Sequence, residues 1–494
     1  MPVDHQPYNR VDPDYFTRRG LRRYAGVASL WALAVGAVIS GHYSGWNLGL
    51  LSGGWGGLAL ATVVVAVMYL CLVFCIAEMG AALPHTGRAY SFARASMGPW
   101  GGFVTGLCEN VEYVLTPAVV VSFLATYLAA VFETPTAWLP AYWVAAYVVF
   151  VGLNILGVEL SFRVTVAVTL AALACLVVFW ISALPVAQFS RFALDIGAAA
   201  DGSPTGLPGG GGPLLPFGLH GVCAALPFAV WLFLAIEQLP LAAEESIDPS
   251  RDMPRGIIAG FATLVVSAAM ILWLNPSVAP GAFQLGASGE PLLDGFRATF
   301  GDGAAKLLAL VACLGLVASF HTILFAKGRQ IYSLSRAGYF PRFLSITHAR
   351  RKTPHIALVA GSTVALIIML GLWFAMGADK GTVAIQGMLL NMAVAGAMFS
   401  YFLQAVSFIV LRRRLPDLKR PYRSPFGIAG AVVTLVVAAV TLVFQLLDPL
   451  FAHGVFWVAI WFVVGIIWFA LVGQNRLVKA PEEAFAVDVA GRRR

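Results

Sequence analysis

The stretch GAVISGHYSGWN, residues 36–47, interrupts the first long apolar segment of the chain. Gly36, Gly41 and Gly45 punctuate it, and polar side chains stand between them. Glycine weakens a helix by about 0.5–1 kcal/mol relative to alanine and lets the backbone leave helical geometry. Non-helical backbone occurs inside a membrane only where protein or a water-filled cavity covers it. The stretch predicts a helix broken at a solute site, and a small-residue face for close helix packing is the alternative.

The composition around this stretch is that of a protein embedded in a bilayer. Of the 494 residues, 59% are hydrophobic and only 11% are charged, whereas soluble domains carry about 25% charged residues. A membrane-spanning helix needs about 20 apolar residues. The apolar runs lie at about 25–52, 56–82, 98–131, 138–158, 161–186, 218–243, 256–277, 304–333, 355–377, 382–411, 427–447 and 452–472. They predict an all-α polytopic membrane protein with 12 transmembrane helices, and the first run is too long for a cleavable signal peptide.

The positive charges indicate how the chain is oriented. If the N-terminus is cytoplasmic, the outward loops hold only four of the 32 Lys and Arg residues, namely Arg191, Arg297, Lys306 and Lys380. Because loops rich in Lys and Arg stay on the cytoplasmic side, we expect both termini in the cytoplasm and the chain in the cytoplasmic (inner) membrane of a bacterium. The net charge of +8 reflects this asymmetry. We therefore expect the lipid bilayer, and no nucleic acid, as a partner.

A second interruption lies in the sixth run, at AIEQLP, residues 235–240. There a carboxylate stands next to a proline near the middle of the predicted helix. The first and sixth runs are the first members of two five-helix halves. Broken helices at corresponding positions of two halves are the best sequence indication of a transport site. The second interruption therefore favours the broken-helix interpretation of residues 36–47.

Three glutamates lie inside the predicted spans, where an ionisable residue costs about 2.5–3.5 kcal/mol at the helix centre. Glu237 stands at the second break, where it can bind a cationic solute or bond the N–H groups that the break frees. Glu109 and Glu112 are three residues apart and share a face of the third span, beside Asn110. They are candidates for cation binding or proton coupling, or for a buried polar network that ties this span to its neighbours.

Two histidines and two aromatic residues extend the candidate site. His42 lies in the first break and His321 in the eighth span, and neither has the neighbouring ligands that a metal site needs. His42 is a candidate for substrate contact and His321 for proton coupling, or each is a packing or hydrogen-bonding residue. An ammonium over an aromatic face gains about 0.5–2 kcal/mol, so Trp231 and Phe320 are candidates for the lining. We expect no metal ion and no cofactor.

Glu78 ends the second span towards the side where we expect the cytoplasm. Arg88 and the segment 336–338 are its candidate partners in an inner gate, and helix capping is the alternative role. The chain shows no GxSxG, P-loop, HExxH or GxGxxG motif in a suitable context, so we do not expect an enzyme. The tails are too short for a soluble signalling domain, which argues against a solute-sensing receptor.

Several stretches together resemble the amino acid–polyamine–organocation (APC) superfamily of secondary transporters. They are the first break, EM at 78–79 followed by PHTGRAY at 84–90, the second break running into AAEE at 242–245, and SRAGYFP at 335–341. Within that superfamily the chain is most similar to the bacterial ethanolamine permeases. The similar segments are ISGHYSGWNLGLLSGGWGG (39–57), TGLCENVEYVLTPA (105–118), LNILGVELSFR (153–163) and FLAIEQLPLAAEE (233–245).

The resemblance implies an inverted five-plus-five helix repeat of the LeuT type, with discontinuous helices 1 and 6 and two further C-terminal helices. It also implies a central substrate site between spans one, three, six, eight and ten. The expected divisions are a tail at 1–24, a transporter domain at 25–473 with repeats at about 25–186 and 218–411 and extra helices at about 427–472, and a tail at 474–494. We expect a monomer or a homodimer.

Two positions depart from the pattern of the family. Amino acid carriers of the superfamily usually show Gly-Ser/Thr-Gly at the first break, where free N–H groups receive the substrate carboxylate. Here the triplet is Ser40-Gly41-His42, and a bulky histidine fits a substrate without a carboxylate. Gln238 stands where a glycine usually follows the span-six glutamate of the ethanolamine carriers, so a larger side chain narrows or alters the pocket.

The expected function is import of ethanolamine or a similar small amine by alternating access, coupled to protons or working by exchange. Glu237 is placed for the ammonium, with help from Trp231, Glu112 and the backbone carbonyls of 39–41, because opened helix ends present such groups. The alternative is an amino acid permease or exchanger of the same superfamily. In either case the partners are a small molecule and, for symport, protons.

The substrate hydroxyl is expected to pair with Ser40, Asn110 or Gln238. A sodium site between spans one and eight would use Ser319 or Thr322, but no carboxylate in the sequence supports it.

Overall fold

The computed structural model describes residues 23–83, 88–197, 212–377, 382–447 and 449–479. This part of the chain is helical and contains no β-strand. Within it, eleven helices are long and apolar enough to cross a membrane, and the shorter apolar helix Val27–His42 supplies the first of the twelve predicted spans. The predicted all-α class is confirmed. The predicted tails at 1–24 and 474–494 fall largely outside the described residues.

The helices follow the predicted runs closely. The first half contains α1 (Val27–Val38), α2 (Gly49–Ala82), α3 (Arg88–Phe132), α4 (Leu139–Leu156), α5 (Val158–Ala183) and the short α6 (Phe189–Phe192). The second half contains α7 (Gly218–Trp231), α8 (Pro249–Leu274), α9 (Ala282–Gly286), α10 (Pro291–Phe300), α11 (Asp302–Arg336), α12 (His355–Met376), α13 (Thr382–Arg414), α14 (Gly427–Leu447) and α15 (Pro449–Leu471). Short 3₁₀ segments lie at Ile39–His42, Trp46–Leu48, Thr136–Trp138, Leu184–Val186, Ile236–Glu245, Arg342–Ser345 and Gly473–Arg476.

Two of the long helices bend sharply at a glycine. Gly54 in α2 has a φ of 64° and Gly98 in α3 a φ of 82°, a backbone region that favours a residue without a Cβ. A Cβ at Gly54 would lie 2.4 Å from the Cγ of Pro216, so no other residue fits there without a shift. The first predicted span therefore consists of α1, the interrupted segment and the residues before Gly54, and the second span begins after it.

The described chain begins and ends at the same end of the helical bundle. Tyr24, near the start of the described chain, donates its N–H to the carbonyl of Glu245 at 2.7 Å. Val478, near the end of the described chain, donates its N–H to the carbonyl of Ala337 at 2.9 Å. We call this end of the bundle the terminus end. The opposite end, where α5 leads into α6 and α8 into α9, is the loop end.

Burial separates the central spans from the peripheral ones. In α7 with its 3₁₀ continuation, 78% of the most apolar window is buried, and in α3 the share is 72%, whereas in α15 it is 28%. An apolar helix that leaves most of its surface exposed must face lipid. The 3₁₀ segment Ile236–Glu245 contacts α1, α2, α3, α8 and α11. The break in the sixth span therefore lies in the protein core, where its backbone is shielded from lipid.

Candidate substrate site

Both predicted helix breaks are present, and each has its own local cause. The α1 helix ends at Val38 and continues as the 3₁₀ turn Ile39–His42, after which Gly45 adopts a φ of 95°. The α7 helix ends at Trp231, and Ala235 takes the left-handed φ of 80°. Positive φ at a residue with a Cβ costs about 1–3 kcal/mol and persists where the surroundings over-determine it, as at functional sites. The second break thus falls immediately before Glu237.

The two breaks lie against each other. A Cβ on Gly41 would lie 2.4 Å from the carbonyl oxygen of Trp231, so the backbones approach as closely as glycine permits. The indole Nε1 of Trp231 donates to the carbonyl of Ser44 at 2.9 Å. The structure therefore places Trp231 as a brace between the two interrupted helices, with its side chain almost wholly buried.

His42 joins three helices. Its Nε2 lies 3.0 Å from the carbonyl oxygen of Leu232, and its Nδ1 lies 2.8 Å from the hydroxyl of Ser267 on α8. Because a carbonyl only accepts, Nε2 carries the hydrogen, and Nδ1 accepts from the serine. The imidazole thus satisfies a carbonyl that the break in the sixth span leaves open. Both ring nitrogens are thus engaged by the protein, which is the hydrogen-bonding role considered as the alternative to substrate contact.

A serine from the eighth span holds the first helix open. The hydroxyl of Ser319 donates to the carbonyl of Gly36 at 2.7 Å and accepts from the N–H of Ser40 at 2.8 Å. In an unbroken helix these two backbone groups would bond directly, since they are four residues apart. Ser319 is inserted between them, which is a known cause of a kink. The residue considered as a sodium ligand thus has its hydroxyl committed to the backbone of the break.

Glu237 lies in a cluster of phenol groups. It is fully buried, and its Oε1 accepts a hydrogen bond from the hydroxyl of Tyr113 on α3 at 3.3 Å. The hydroxyl of Tyr401 on α13 lies 3.2 Å from that of Tyr69 on α2. The carboxyl groups of Glu237 and Glu112 both act electrostatically on Tyr401. The structure therefore brings together the two predicted carboxylates of spans three and six.

Sequence reasoning missed Tyr69 and Tyr401 in this cluster. Each is a single tyrosine within an apolar run. Tyr69 precedes LCLVF (70–74) in the second span, and Tyr401 stands in SYFLQ (400–404) in the tenth. Tyrosine is common at membrane interfaces, so the sequence does not distinguish a tyrosine that faces lipid from one that faces a buried carboxylate. Only the packing of α2 against the second break, and of α13 against α3 and α7, brings their hydroxyl groups to the site.

Glu109 faces a different partner from Glu112. The Nε2 of Gln330 on α11 donates to the Oε2 of Glu109 at 3.0 Å. The two glutamates, predicted to share a face, are thus oriented towards different helices. Glu109 ties α3 to α11, whereas Glu112 is near α13. Gln330 was not predicted as part of the site.

His321 and Phe320 face the fourth and fifth spans. The Nδ1 of His321 lies 3.1 Å from the side-chain Nδ2 of Asn154 on α4, and its Nε2 lies 3.1 Å from the hydroxyl of Ser161 on α5. The ring of Phe320 meets the ring of Tyr147 edge-on, with centroids 4.9 Å apart. These contacts place His321 in a polar group of its own, apart from the phenols around Glu237.

Asn110 lines a separate cavity. This cavity has a volume of about 520 Å³, lies between α3, α12, α13 and α15, and is otherwise lined by apolar residues, methionine and tryptophan. Successive residues on a helix are about 100° apart, so Asn110 and Glu112 project to different sides of α3. The structure therefore places Asn110, a candidate partner of the substrate hydroxyl, on another face of α3 and outside the cluster around Glu237.

Gln238 is the polar neighbour of Glu237 in the second break. Its side chain is buried, and within the described part of the chain neither its Nε2 nor its Oε1 has a hydrogen-bond partner. An unsatisfied buried polar group costs about 1–3 kcal/mol. A bound polar molecule would remove this cost, so Gln238 keeps its place among the candidate ligand contacts.

Glu78 has partners that the sequence did not suggest, and the side chain of Arg88, one of the two considered, lies outside the described part of the structure. Its Oε1 accepts from Nε of Arg412 at 2.9 Å and lies 3.0 Å from Nε of Arg420. The backbone N–H of Ser424 donates to Oε2 at 2.7 Å. Arg336, one of the considered partners, pairs instead with Glu244 at 2.6 Å. Glu78 therefore anchors the connection between α13 and α14 at the terminus end.

A buried ion pair between Arg329 and Glu245 lies at the terminus end of the bundle. Arg329 donates from Nη2 and Nε to Glu245 at 2.7 and 3.1 Å, and both side chains are fully buried. The carbonyl of Glu245 also accepts the N–H groups of Tyr24 and Ala25. Spans one, six and eight are thus joined at one point. Sequence reasoning grouped Arg329 with the loop charges and missed this pair.

Comparisons with known proteins agree with this architecture. Residues 26–473 match the family model described as amino acid permease. An uncharacterized transporter of Rhizobium meliloti (strain 1021) is 28% identical over 433 residues, which cover 87% of each chain. The branched-chain amino acid permease BcaP of Bacillus subtilis (strain 168) is 26% identical over 82% of this chain and 84% of its own. The methylthioribose transporter of the same organism is 24% identical over 92% of this chain and 95% of its own.

A solved structure shows the same fold. The manganese transporter of Eremococcus coleocola superposes with a TM-score of 0.56 over 99% of both chains at 14% identity. That likeness extends to the fold alone, and it confirms the predicted LeuT-type arrangement with discontinuous helices 1 and 6. Within the described residues, no group of three metal-ligating side chains is close enough to hold a metal ion. Since the family model covers almost all of the helical bundle, the chain belongs to the amino acid permease family of secondary transporters.

Proposed function

We propose that this transporter imports ethanolamine, or another amine of similar size, across the cytoplasmic membrane by alternating access. The observation that carries the proposal is the fully buried carboxylate of Glu237 among phenol groups at the second break. A cation leaves water only where an anion and hydrogen-bonding groups replace its hydration. Phenol rings add cation–π attraction. This surrounding suits a compact ammonium group.

Three N–H groups of the first break are already engaged within the protein. The N–H of Ser40 donates to Ser319, and the N–H groups of Tyr43 and Ser44 both donate to the carbonyl of Ser40, at 2.9 and 3.1 Å. Opened helix ends hold anionic substrate groups through such N–H groups. Their engagement, with His42 in the place of a glycine, favours an amine that has no carboxylate.

The substrate hydroxyl has a candidate partner in Gln238. Its amide offers both a donor and an acceptor and is buried next to the proposed ammonium site. We place the hydroxyl of the amine there. Asn110, the other amide considered, lines the cavity on the far side of α3 and is not part of this proposal.

The second candidate is an amino acid permease or exchanger. The description of the family and the branched-chain amino acid permease among the relatives favour it. An amino acid would place its ammonium at Glu237 in the same way. Its carboxylate would lie at the first break, where the protein already engages the N–H groups of Ser40, Tyr43 and Ser44.

We further propose that the terminus end faces the cytoplasm and that transport is coupled to protons or proceeds by exchange. The concentration of Lys and Arg in the connections at that end supports the orientation. Buried ionisable side chains within the spans support the coupling, since such residues commonly mark proton pathways in membrane proteins.

A matched ligand series tests the proposal on the purified full chain. Ethanolamine carries a cation and a hydroxyl, ethylamine lacks the hydroxyl, ethylene glycol lacks the cation, and β-alanine and leucine add a carboxylate. We expect ethanolamine to raise the melting temperature most and to be displaced best by isopropanolamine, because only a ligand of the native state stabilises it. If leucine or alanine displaces radiolabelled ethanolamine better than isopropanolamine does, the amino acid alternative is correct.

A further inference from the structure

Lys327 is a buried lysine within α11 that the proposed substrate site does not use. Its side chain is fully buried, and it lies seven residues, about two helical turns, beyond Phe320. Ionisable residues inside a membrane protein are rare and commonly mark ion pathways or proton relays. The sequence did not single it out, because it stands beside Arg329 at the edge of a positively charged connection.

The amine of Lys327 has neutral neighbours. Its Nζ donates to the hydroxyl of Ser362 on α12 at 2.7 Å, and that hydroxyl donates to the carbonyl of Leu358 at 2.7 Å. Nζ also lies 5.2 Å from the ring centroid of Tyr147 on α4. The amine therefore has two neutral neighbours, the hydroxyl of Ser362, which a backbone carbonyl orients, and the aromatic ring of Tyr147.

The charged groups around this site point elsewhere. On the same helix, Arg329 pairs with Glu245, and His321 is held by Asn154 and by the fifth span. From α12 the facing polar group is a serine, and from α4 it is the phenol of a tyrosine. Among the residues that the structure describes, no carboxylate forms an ion pair with Lys327 or acts on it electrostatically. A buried ammonium without an anion is strongly disfavoured.

One aromatic ring connects this lysine to the substrate site. Tyr147 contacts Lys327 on one side and meets the ring of Phe320 edge-on, with centroids 4.9 Å apart. Phe320 belongs to the predicted substrate lining and follows Ser319, which holds the first break open. A change in the first break or in the eighth span therefore shifts the surroundings of the amine directly.

We propose that Lys327 is the proton-carrying residue of this transporter, taking up a proton when its site opens to water on one side and releasing it when the site opens on the other. The inference rests on the proposed transport function. The lone pair of the amine forms an N–H bond with a proton from water, and the same bond breaks to water after the conformational change. The proton is neither consumed nor produced, so one proton crosses with each substrate.

The physical basis of the proposal is the difference in hydration of the Lys327 ammonium group between the open and the closed site. Water hydrates the ammonium when the site is open, and Ser362 and the ring of Tyr147 replace only part of that hydration when it is closed. The protonated and neutral forms thus favour different conformations, which is the condition for coupling a proton to alternating access.

The test uses the full chain in proteoliposomes that contain a pH-sensitive dye. Lys327→Met is compared with wild type and with Lys419→Met, which removes an exposed lysine. Two quantities are measured: counterflow of radiolabelled ethanolamine, which needs no proton gradient, and accumulation with proton influx under an inward proton gradient. We expect Lys327→Met to keep counterflow within about threefold but to lose proton influx and accumulation, while Lys419→Met behaves as wild type.

A second variant covers the case in which Lys327→Met does not fold. Ser362→Ala keeps the amine but removes its hydrogen-bond acceptor, so we expect the pH of half-maximal accumulation to move downward. A purely structural role for the lysine would leave that pH unchanged. Accumulation by Lys327→Met at the wild-type level, or an unchanged pH profile in Ser362→Ala, would overturn the proposal.

The two arms also separate this inference from the proposed function. Ethanolamine counterflow without proton influx in wild type would refute the role of Lys327 and leave the amine transporter standing. Leucine counterflow without ethanolamine counterflow would refute the proposed amine substrate. The role of Lys327 would then be tested with leucine: loss of leucine-driven proton influx in Lys327→Met would support it, and wild-type influx would overturn it.

Discussion

At the scale of single residues, the carboxylate of Glu237 carries the proposed recognition of the amine. Its charge is fully buried and is hydrogen-bonded by Tyr113. Replacement by glutamine keeps the size and the hydrogen-bonding ability but removes the charge. A hydrogen bond to a charged group contributes about 1.5–3 kcal/mol, and about 1.4 kcal/mol corresponds to a tenfold change in affinity. We expect Glu237→Gln to weaken ethanolamine binding by about 10–100-fold and to abolish measurable uptake.

The matched control for this variant is Glu133→Gln, whose side chain is largely exposed at the loop end. Uptake of labelled ethanolamine and the melting temperature are measured for both. Wild-type uptake by Glu237→Gln would remove this carboxylate from the site. A fall in its melting temperature without ligand would indicate that it holds the break together instead.

Gly41 sets the distance between the two breaks. A Cβ there would lie 2.4 Å from the carbonyl oxygen of Trp231, and a backbone atom cannot move aside as a flexible side chain can. Overpacking of this kind typically costs about 1–3 kcal/mol. We therefore expect Gly41→Ala to lower the melting temperature and to reduce uptake.

Gly152, a helical glycine in α4, provides the control for that substitution. A Cβ at Gly152 meets nothing within 4 Å, and alanine is the better helix former by about 0.5–1 kcal/mol. Gly152→Ala is expected to hold or raise the melting temperature. Equal melting temperatures for the two variants would show that the breaks are not closely packed against each other.

At the scale of elements, we expect the short helix α10, which covers the loop end, to be sensitive to pH. The N–H of Leu292 donates to the hydroxyl of Tyr127 at 3.1 Å, and Phe296 meets Phe179 edge-on. Glu290 immediately precedes the helix. Burial, assisted by Asp294, raises the pKa of its carboxyl from 4.5 to about 7, while Arg297 opposes the shift. Docking of α10 therefore favours the protonated form of Glu290.

The sign of the pH dependence follows from that shift. The pKa of Glu290 is raised in the folded protein. Its contribution to the free energy of unfolding is therefore full below about pH 4.5 and is lost as the pH rises through about 7. We expect the amide hydrogens of α10 to exchange faster, after correction for intrinsic rates, as the pH rises across this interval. Glu290→Gln should flatten the dependence. A wild-type profile that is already flat would exclude this carboxyl group as its cause.

The breaks themselves show what can be predicted at this scale. Their positions followed from glycines and from a proline beside a carboxylate, since these residues weaken a helix locally. What holds them open did not follow. Ser319 and His42 act on backbone groups of distant segments, at Gly36 and Leu232. Such contacts arise only when α11 packs against α1 and the end of α7 lies against the first break.

At the scale of the whole molecule, the distribution of charge supports the proposed orientation, with the terminus end in the cytoplasm. Single cysteines at two exposed positions test it, Ser190→Cys at the loop end and Ala349→Cys in the connection between α11 and α12. A membrane-impermeant maleimide applied to intact cells should label the first and not the second. The six native cysteines are replaced beforehand, because Cys223 is partly exposed. Labelling of Ala349→Cys in intact cells would reverse the proposed orientation.

The sequence by itself determined the class of the protein, its twelve spans and the places where two of them break. Apolar run length, charge bias and glycine content are local properties, and a bilayer imposes them on every chain that crosses it. The tertiary structure alone decided which polar residues meet. It paired Glu109 with Gln330, turned Asn110 to another cavity, gave Glu78 the partners Arg412 and Arg420, and brought phenols to Glu237. Side-chain partners depend on how helices rotate and pack, and that is fixed by contacts between residues far apart in the chain.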